Sequence, residues 1–379
     1  MPETHQEQRS VKILGTRGIP AHHGGFETFA EHLAIHLAKS GWQVTVYCQE
    51  EGGGEPFRES SWQGVRLVHV PVSDLGALGT VVFDWKSSRH AARSGGLILT
   101  FGYNTAVFGA RYWRRGIRHL TNMDGMEWKR GRYNWAERMW LYFNEKVGCR
   151  LASHLIADHP EIEKHLATRV PRGKITTIPY GADPVDSADE ARLPQYGLEA
   201  NGYALVVARP HPENSILETV RAFTRRDRSV KLVVLGDYQP EAFTYHRKVM
   251  EAATDQVVFL GAVYCRPIVS ALRYFARLYV HGHTVGGTNP SLVEAMAAGC
   301  AVLSHDNDFN RWVAGPCAAY FHDEQECASL FDQLLDDQPR REAMQSVAKA
   351  RHRERFLLDR SVSEYERTLS QWLPPGMEA

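Results

Sequence analysis

The chain has no stretch near the ~18 consecutive apolar residues that would span a bilayer, and its opening MPETHQEQRS lacks the apolar core of a secretory leader. These absences point to a cytoplasmic protein that meets membranes, if at all, from the inner face and peripherally. Charge of either sign is not in excess. Lys+Arg and Asp+Glu number 44 each in 379 residues, so there is no global field to gather nucleic acid. Cysteine is sparse: six residues, none in a Cys-x-x-Cys pair and most in apolar segments, which suits a reducing compartment and excludes a disulfide scaffold. Short-period repeats and low-complexity tracts are also missing.

What is present is alternation. A chain of 379 residues is long for one core and comfortable for two. Apolar runs at 11–15, 43–48, 66–72, 97–101, 119–122, 154–158 and 175–179 read as strands separated by helical patterns. The clearest helix spans 26–39, where Phe26, Phe29, Ala30, Leu33 and Leu37 follow the i, i+3, i+4, i+7 stripe. A Pro-, Gly- and acid-rich stretch follows at 180–197. The alternation then restarts with runs at 203–209, 230–236, 257–261, 278–282 and 300–304. Helical patterns at 324–335 and 340–355 come next, and 361–373 reads as a closing amphipathic helix. Strands alternating with helices imply parallel sheets with right-handed crossovers. The expected organisation is α/β, with two doubly wound Rossmann-like domains: 1–185, 186–358, and a closing C-terminal helix in 359–379.

The stretch HGHTVGGTNPSLVEAMAAG, residues 281–299, is the most informative. Asn289 suits a helix N-cap, Pro290 the first helical position and Gly299 the stop. The backbone of Gly286, Gly287 and Thr288 sits ahead of this helix start, where free N–H groups and the dipole favour an anion. Glu294 is the only charged residue between Thr284 and Ser304. A carboxylate on an otherwise apolar helix is either solvated or held by donors, a sugar diol being one such pair.

This segment resembles the nucleotide-sugar loop of family-4 glycosyltransferases of the GT-B fold, whose motif carries two Glu eight positions apart. Glu294-Ala295-Met296-Ala297-Ala298-Gly299 matches its second half, while Gly286 stands where the first acid belongs. The GGTNPS loop is similar to that of a rhamnosyltransferase-like branch. By the same resemblance VVARPHPENS (206–215) is the donor-diphosphate segment, with Arg209 as its Arg and Asn214 in place of the usual Lys. His283 falls in the donor pocket. GTRGIPAHHGGFETFAEHLA (15–34) is similar to the acceptor-side glycine loop, in which Arg17, Gly24, Gly25 and Glu27 are the candidate contacts. NMDGMEW (122–128) places Asp124 where relatives carry a residue facing the transferred sugar, with Glu127 a weaker candidate. The resemblance implies a retaining hexosyltransferase in which Asp124, Arg209 and Glu294 act on the reaction. It further implies a nucleotide-sugar donor such as dTDP-L-rhamnose, a glycan or lipid-linked acceptor, and neither cofactor nor metal.

Other patterns compete. Asp306-Asn307-Asp308 has the Asp-x-Asp spacing of metal-dependent sugar transferases but follows the last apolar run of the second domain, and we read it as coincidence. RYWRRGIRH (111–119) and WKRGRY (128–133) interleave cations with aromatics and suggest a patch for anionic lipid. A dinucleotide oxidoreductase would use Glu50 or Glu51 for the ribose, yet G-x-G-x-x-G is missing and Arg209 and Glu294 would be left without a role. A non-catalytic sugar-phosphate binding module would use the same residues without turnover.

Overall fold

The computed structural model describes residues 9–21 and 25–373. They divide into two compact units. The first comprises residues up to 128, 135–179 and from 359 onward; the second comprises 129–134 and 180–358. The closing helix therefore belongs to the first unit, and a six-residue segment from the first half of the sequence belongs to the second.

In the first unit eight strands are described: β1 (Ser10–Leu14), β2 (Gln43–Glu51), β3 (Arg58–Trp62), β4 (Val65–Val72), β5 (Leu97–Phe101), β6 (His119–Asn122), β7 (His154–Ala157) and β8 (Ile175–Thr177). They lie in the order β3-β4-β2-β1-β5-β6-β7-β8. All neighbours are parallel except β3 and β4, which form an antiparallel hairpin at the edge. The alternation of apolar and polar runs foretold the parallel strands. It did not foretell β3, whose sequence RESSW is held by its ladder to β4 and buries no apolar face.

The helix Gly25–Lys39 covers this sheet with the stripe read from its sequence. Phe29, Ala30, Leu33 and Leu37 are all at most 3% exposed. Side chains of this size contribute about 1.5–3 kcal/mol each on full burial. The closing helix, Leu358–Ser370, packs into the same unit through Val362, Tyr365 and Leu369. The Tyr365 ring lies 5.1 Å from that of Phe29 and is stacked at 6.2 Å on Phe101.

The second unit has strands β9 (Tyr203–Val207), β10 (Lys231–Leu235), β11 (Val257–Gly261), β12 (Leu278–His281), β13 (Val302–His305) and β14 (Ala318–Phe321), ordered β11-β10-β9-β12-β13-β14 and wholly parallel. The short β14, AAYF, was not legible as a strand on its own and is defined by its pairing with β13. Each sheet reverses its strand order once, between β1 and β5 in the first and between β9 and β12 in the second. Doubly wound sheets bind ligands beyond the carboxyl ends of the strands at such a reversal. The two reversals therefore point to the loops after Leu14 and Phe101 and to those after Val207 and His281.

Candidate active site

In the second unit the reversal gathers the residues that the sequence singled out. The chain leaves β9 at Val207 and turns at Arg209, where the His211 amide donates to the Arg209 carbonyl at 2.7 Å. Asn214 Nδ2 donates to the same carbonyl at 2.7 Å. Asn214 is buried and fixes the backbone of Arg209, whose own side chain is exposed. The loop then locks to the one after β12. The Thr284 amide and hydroxyl both donate to the Glu213 carbonyl, at 2.9 and 3.0 Å. Gly282 is required at this junction, because a Cβ there would collide with the Asn214 carbonyl. At Gly286, by contrast, an added Cβ meets nothing within 4 Å, so no packing demand explains that glycine.

The helix after β12 runs Pro290–Ala297, capped by Asn289, whose side chain accepts from the Ser291 amide at 3.0 Å, as the Asn-Pro step implies. Thr288 is buried just ahead of it. Ser291 Oγ donates to the Val207 carbonyl at 3.0 Å and lies 2.5 Å from Tyr279 Oη, which pins the helix start to both strands of the reversal. Leu292, Val293, Met296 and Ala297 pack inward as expected. Glu294 points away from them and pairs with Arg273 Nη2 at 2.5 Å. Arg273 is almost wholly buried, whereas the Glu294 side chain keeps about a third of its surface. Nothing in the sequence marked Arg273, since an ion pair between two helices flanking a strand leaves no periodic trace.

Tyr279, His281 and His283 alternate along β12 and its extension. The two imidazoles stack at 4.2 Å and 7°. Burial pushes His281 down to about 3 and His283 well below its ordinary value, so both are neutral. The His283 carbonyl accepts from the amides of Asn307 and Asn310, at 3.0 and 2.9 Å. Asn307 also caps the helix Asp308–Ala314, and Asp306 pairs with Arg311 and with His322 at 3.2 Å. The Asp-x-Asp spacing is thus a helix cap with an ion pair beside it. Among the described residues no three His, Cys, Asp or Glu side chains converge as a metal ion needs.

The segment 129–134 alters the electrostatics. It lies with the second unit, where Arg130 acts on His283, and Arg132 acts on His211, which burial above all holds at about 4. Arg209 acts on both imidazoles in the same sense, while the buried Glu213 carboxylate opposes it at His211. Residues 129–133 of the second cation–aromatic run thus group with the second unit, and the first run, 111–119, with the first.

In the first unit, Gly15 and Gly18 are dictated by packing rather than by a ligand. Both have positive φ, and a Cβ would strike the Phe101 carbonyl at Gly15 and Cys48 at Gly18. Arg17 is exposed, Gly25 opens the helix and Glu27 is buried in its first turn. Gly24 lies outside the described residues. Asp124 follows β6 with φ +45°, a left-handed conformation uncommon for a residue other than glycine. Its amide donates to Asn122 Oδ1 at 2.7 Å, and Asn122 Nδ2 in turn donates to Tyr365 Oη at 2.5 Å. Glu127 is buried behind this turn, its amide bonded to Tyr103 Oη at 2.8 Å. At the end of β2, Glu50 pairs with Arg58 at 2.7 Å.

Comparison with known proteins bears on the fold. Residues 193–351 match the family Glycosyl transferases group 1, and residues 8–183 match the Domain of unknown function DUF1972. No curated protein matches. Among solved structures the chain is similar to sucrose-phosphate synthase from Thermosynechococcus elongatus (19% identity, TM-score 0.78, 96% of this chain and 99% of that one). It is also similar to Anabaena HepE in complex with UDP-glucose (15%, 0.75, 96% and 100%). A third similar structure is a UDP-forming α,α-trehalose-phosphate synthase from Burkholderia vietnamiensis (12%, 0.71, 96% and 100%). At these identities the likeness is one of fold, and that fold is GT-B. The chain thus has the GT-B fold, with a match to the Glycosyl transferases group 1 family in its second half and to DUF1972 in its first.

Proposed function

We propose that this chain is a glycosyltransferase of the group 1 type that moves L-rhamnose from dTDP-L-rhamnose, with retention of configuration, onto a glycan or lipid-linked glycan in cell-surface polysaccharide synthesis. The observation that carries the donor site is the strand reversal of the second unit, where the capped start of Pro290–Ala297 is bonded through Ser291 to the Val207 carbonyl, two residues before Arg209. The departing nucleoside diphosphate gains negative charge as the anomeric bond breaks. Arg209, the field of Arg130 and Arg132, and the amides of Gly287 to Asn289 answer that charge; fixed dipoles and cations of this kind usually supply the largest share of catalysis. Asn214 holds the Arg209 backbone in place. Glu294 takes the ribose hydroxyls, and the leaving phosphate accepts the acceptor's proton. Asp124 contacts the sugar or acceptor from its own unit, beside Arg17, Gly25 and Glu27.

Rhamnose is favoured by the GGTNPS loop, in which Gly286 replaces an acid and leaves open space. A second reading, transfer of another nucleotide-activated hexose, is favoured by several neighbours, among them the HepE structure that holds UDP-glucose and the UDP-forming trehalose-phosphate synthase. Nucleotide release from a panel of dTDP- and UDP-sugars decides between them. Turnover of dTDP-L-rhamnose at least tenfold above UDP-glucose supports the first reading, the reverse order supports the second, and no release from any sugar nucleotide sinks both.

A further inference from the structure

Among the described residues thirteen large apolar side chains stand exposed, and nine of them lie in the first unit on three neighbouring segments. Leu78, Val82 and Trp85 form one stripe of the helix Ala77–Ala91, at i, i+4 and i+7, with Leu78 79% exposed. Trp113 is 65% exposed on Ala110–Arg114. Trp135, 78% exposed, begins the helix Trp135–Leu151, and Trp140 and Phe143 follow it. Residues 104 and 105 tie these helices together: Thr105 donates to Asp84 at 2.7 Å, and Trp140 Nε1 donates to the Asn104 carbonyl at 2.9 Å. Contiguous apolar exposure on this scale marks an interaction surface.

Its border is cationic. Trp85 lies beneath Arg89 and Arg111, at 5.7 and 5.6 Å. Beside it a groove of about 440 Å³ is lined by Arg89, Arg93, Arg111, Arg114 and Arg115 with Ala92, and among the described residues no carboxylate lines it. Arg115 is fixed by its bond to the Ala92 carbonyl at 2.6 Å. Aliphatic and indole groups flanked by guanidiniums match the two layers of a bilayer interface, hydrocarbon below and phosphate above. A second copy fits less well, because a self-complementary contact would bring one arginine groove toward the other.

We propose that this face of the first unit docks on an anionic lipid bilayer, with the Leu78–Trp85 stripe and the tryptophans in the interface and headgroup phosphates in the arginine groove. The docking is independent of which sugar is transferred. The test is co-sedimentation of the full chain with vesicles of phosphatidylglycerol and phosphatidylcholine against pure phosphatidylcholine, with brominated lipid as a quencher of tryptophan fluorescence. Binding is expected to be at least tenfold stronger to the anionic vesicles, with quenching, and weaker at high salt. Leu78→Asp/Val82→Asp is expected to lower binding about tenfold, and Arg93→Ser/Arg114→Ser about 25-fold, near fivefold for each cation lost. Both variants should keep the wild-type melting temperature and nucleotide release. The proposal is overturned if wild type stays in the supernatant with anionic vesicles, or if the folded arginine variant binds them as wild type does. It is equally overturned if sedimentation velocity shows a dimer that Leu78→Asp breaks while vesicle binding is unchanged.

Discussion

Arg273 Nη2 and Glu294 Oε2 stand 2.5 Å apart, joining the helix before β12 to the helix after it. The guanidinium is buried and the carboxylate is its counter-charge, so Glu294 serves the fold as well as the proposed ribose contact. Glu294→Ala is expected to lower stability by about 1–3 kcal/mol, less than a fully buried pair would because the acid is partly solvated. Glu294→Gln, which can still accept from Arg273, should lose less stability. Both should weaken binding of a nucleoside diphosphate in calorimetric titration. Wild-type affinity in both variants refutes the ribose role, while an unchanged melting temperature in Glu294→Ala refutes the structural one.

Asp124 and Arg209 separate position from charge. Asn is tolerated in the left-handed region, so Asp124→Asn preserves the turn while removing the carboxylate. Turnover is expected to fall about 10²-fold with the melting temperature unchanged. Arg209→Ala should also fall about 10²-fold, chiefly in turnover, as for other charge-stabilising donors. Steady-state rates beside thermal denaturation check both, and near-wild-type rates remove the residue concerned from the mechanism.

How much of this was readable beforehand differs between backbone and site. The stripe of Phe29, Ala30, Leu33 and Leu37 and the Asn289-Pro290 start are local patterns, and each folds as its spacing implies. β3 escaped because a polar edge strand is defined by its neighbour rather than by its own residues. Glu294 stood out as a lone acid, yet its partner Arg273 is 21 positions earlier and marked by nothing local. Gly15 and Gly18 of the first loop answer to Phe101 and Cys48, contacts that exist only once the sheet is formed and leave no mark in the local sequence.

Acid should destabilise both units. His119 in the first and His281 in the second are each pushed to about 3 by burial, against an ordinary value near 6.5. Below pH 6.5 the unfolded chain takes up protons that the native histidines refuse. Stability from each is therefore complete above that pH and falls toward pH 3, by up to about 1.4 kcal/mol per pH unit. Denaturant titrations between pH 7 and 4 should show a shallower slope in His281→Phe than in wild type, and equal slopes would contradict the burial argument.

Two glycines four positions apart should behave oppositely. Gly282→Ala drives a methyl into the Asn214 carbonyl and is expected to cost about 3 kcal/mol. Gly286→Ala enters open space, should stay within about 0.5 kcal/mol of wild type, and should act on donor affinity instead. Chemical denaturation of the two variants checks the contrast, and equal losses would refute it.

The bond from Asn122 to Tyr365 has a further consequence for how this polypeptide can be shortened. The tyrosine that steadies the Asp124 turn arrives from the last described helix, after the chain has passed through the second unit and returned. A truncated chain ending at residue 358 would keep every described strand and still lose the prop beneath Asp124, along with the ring that packs against Phe29 and Phe101. No single cut separates the two units, because residues 129–134 group with the second and the closing helix with the first.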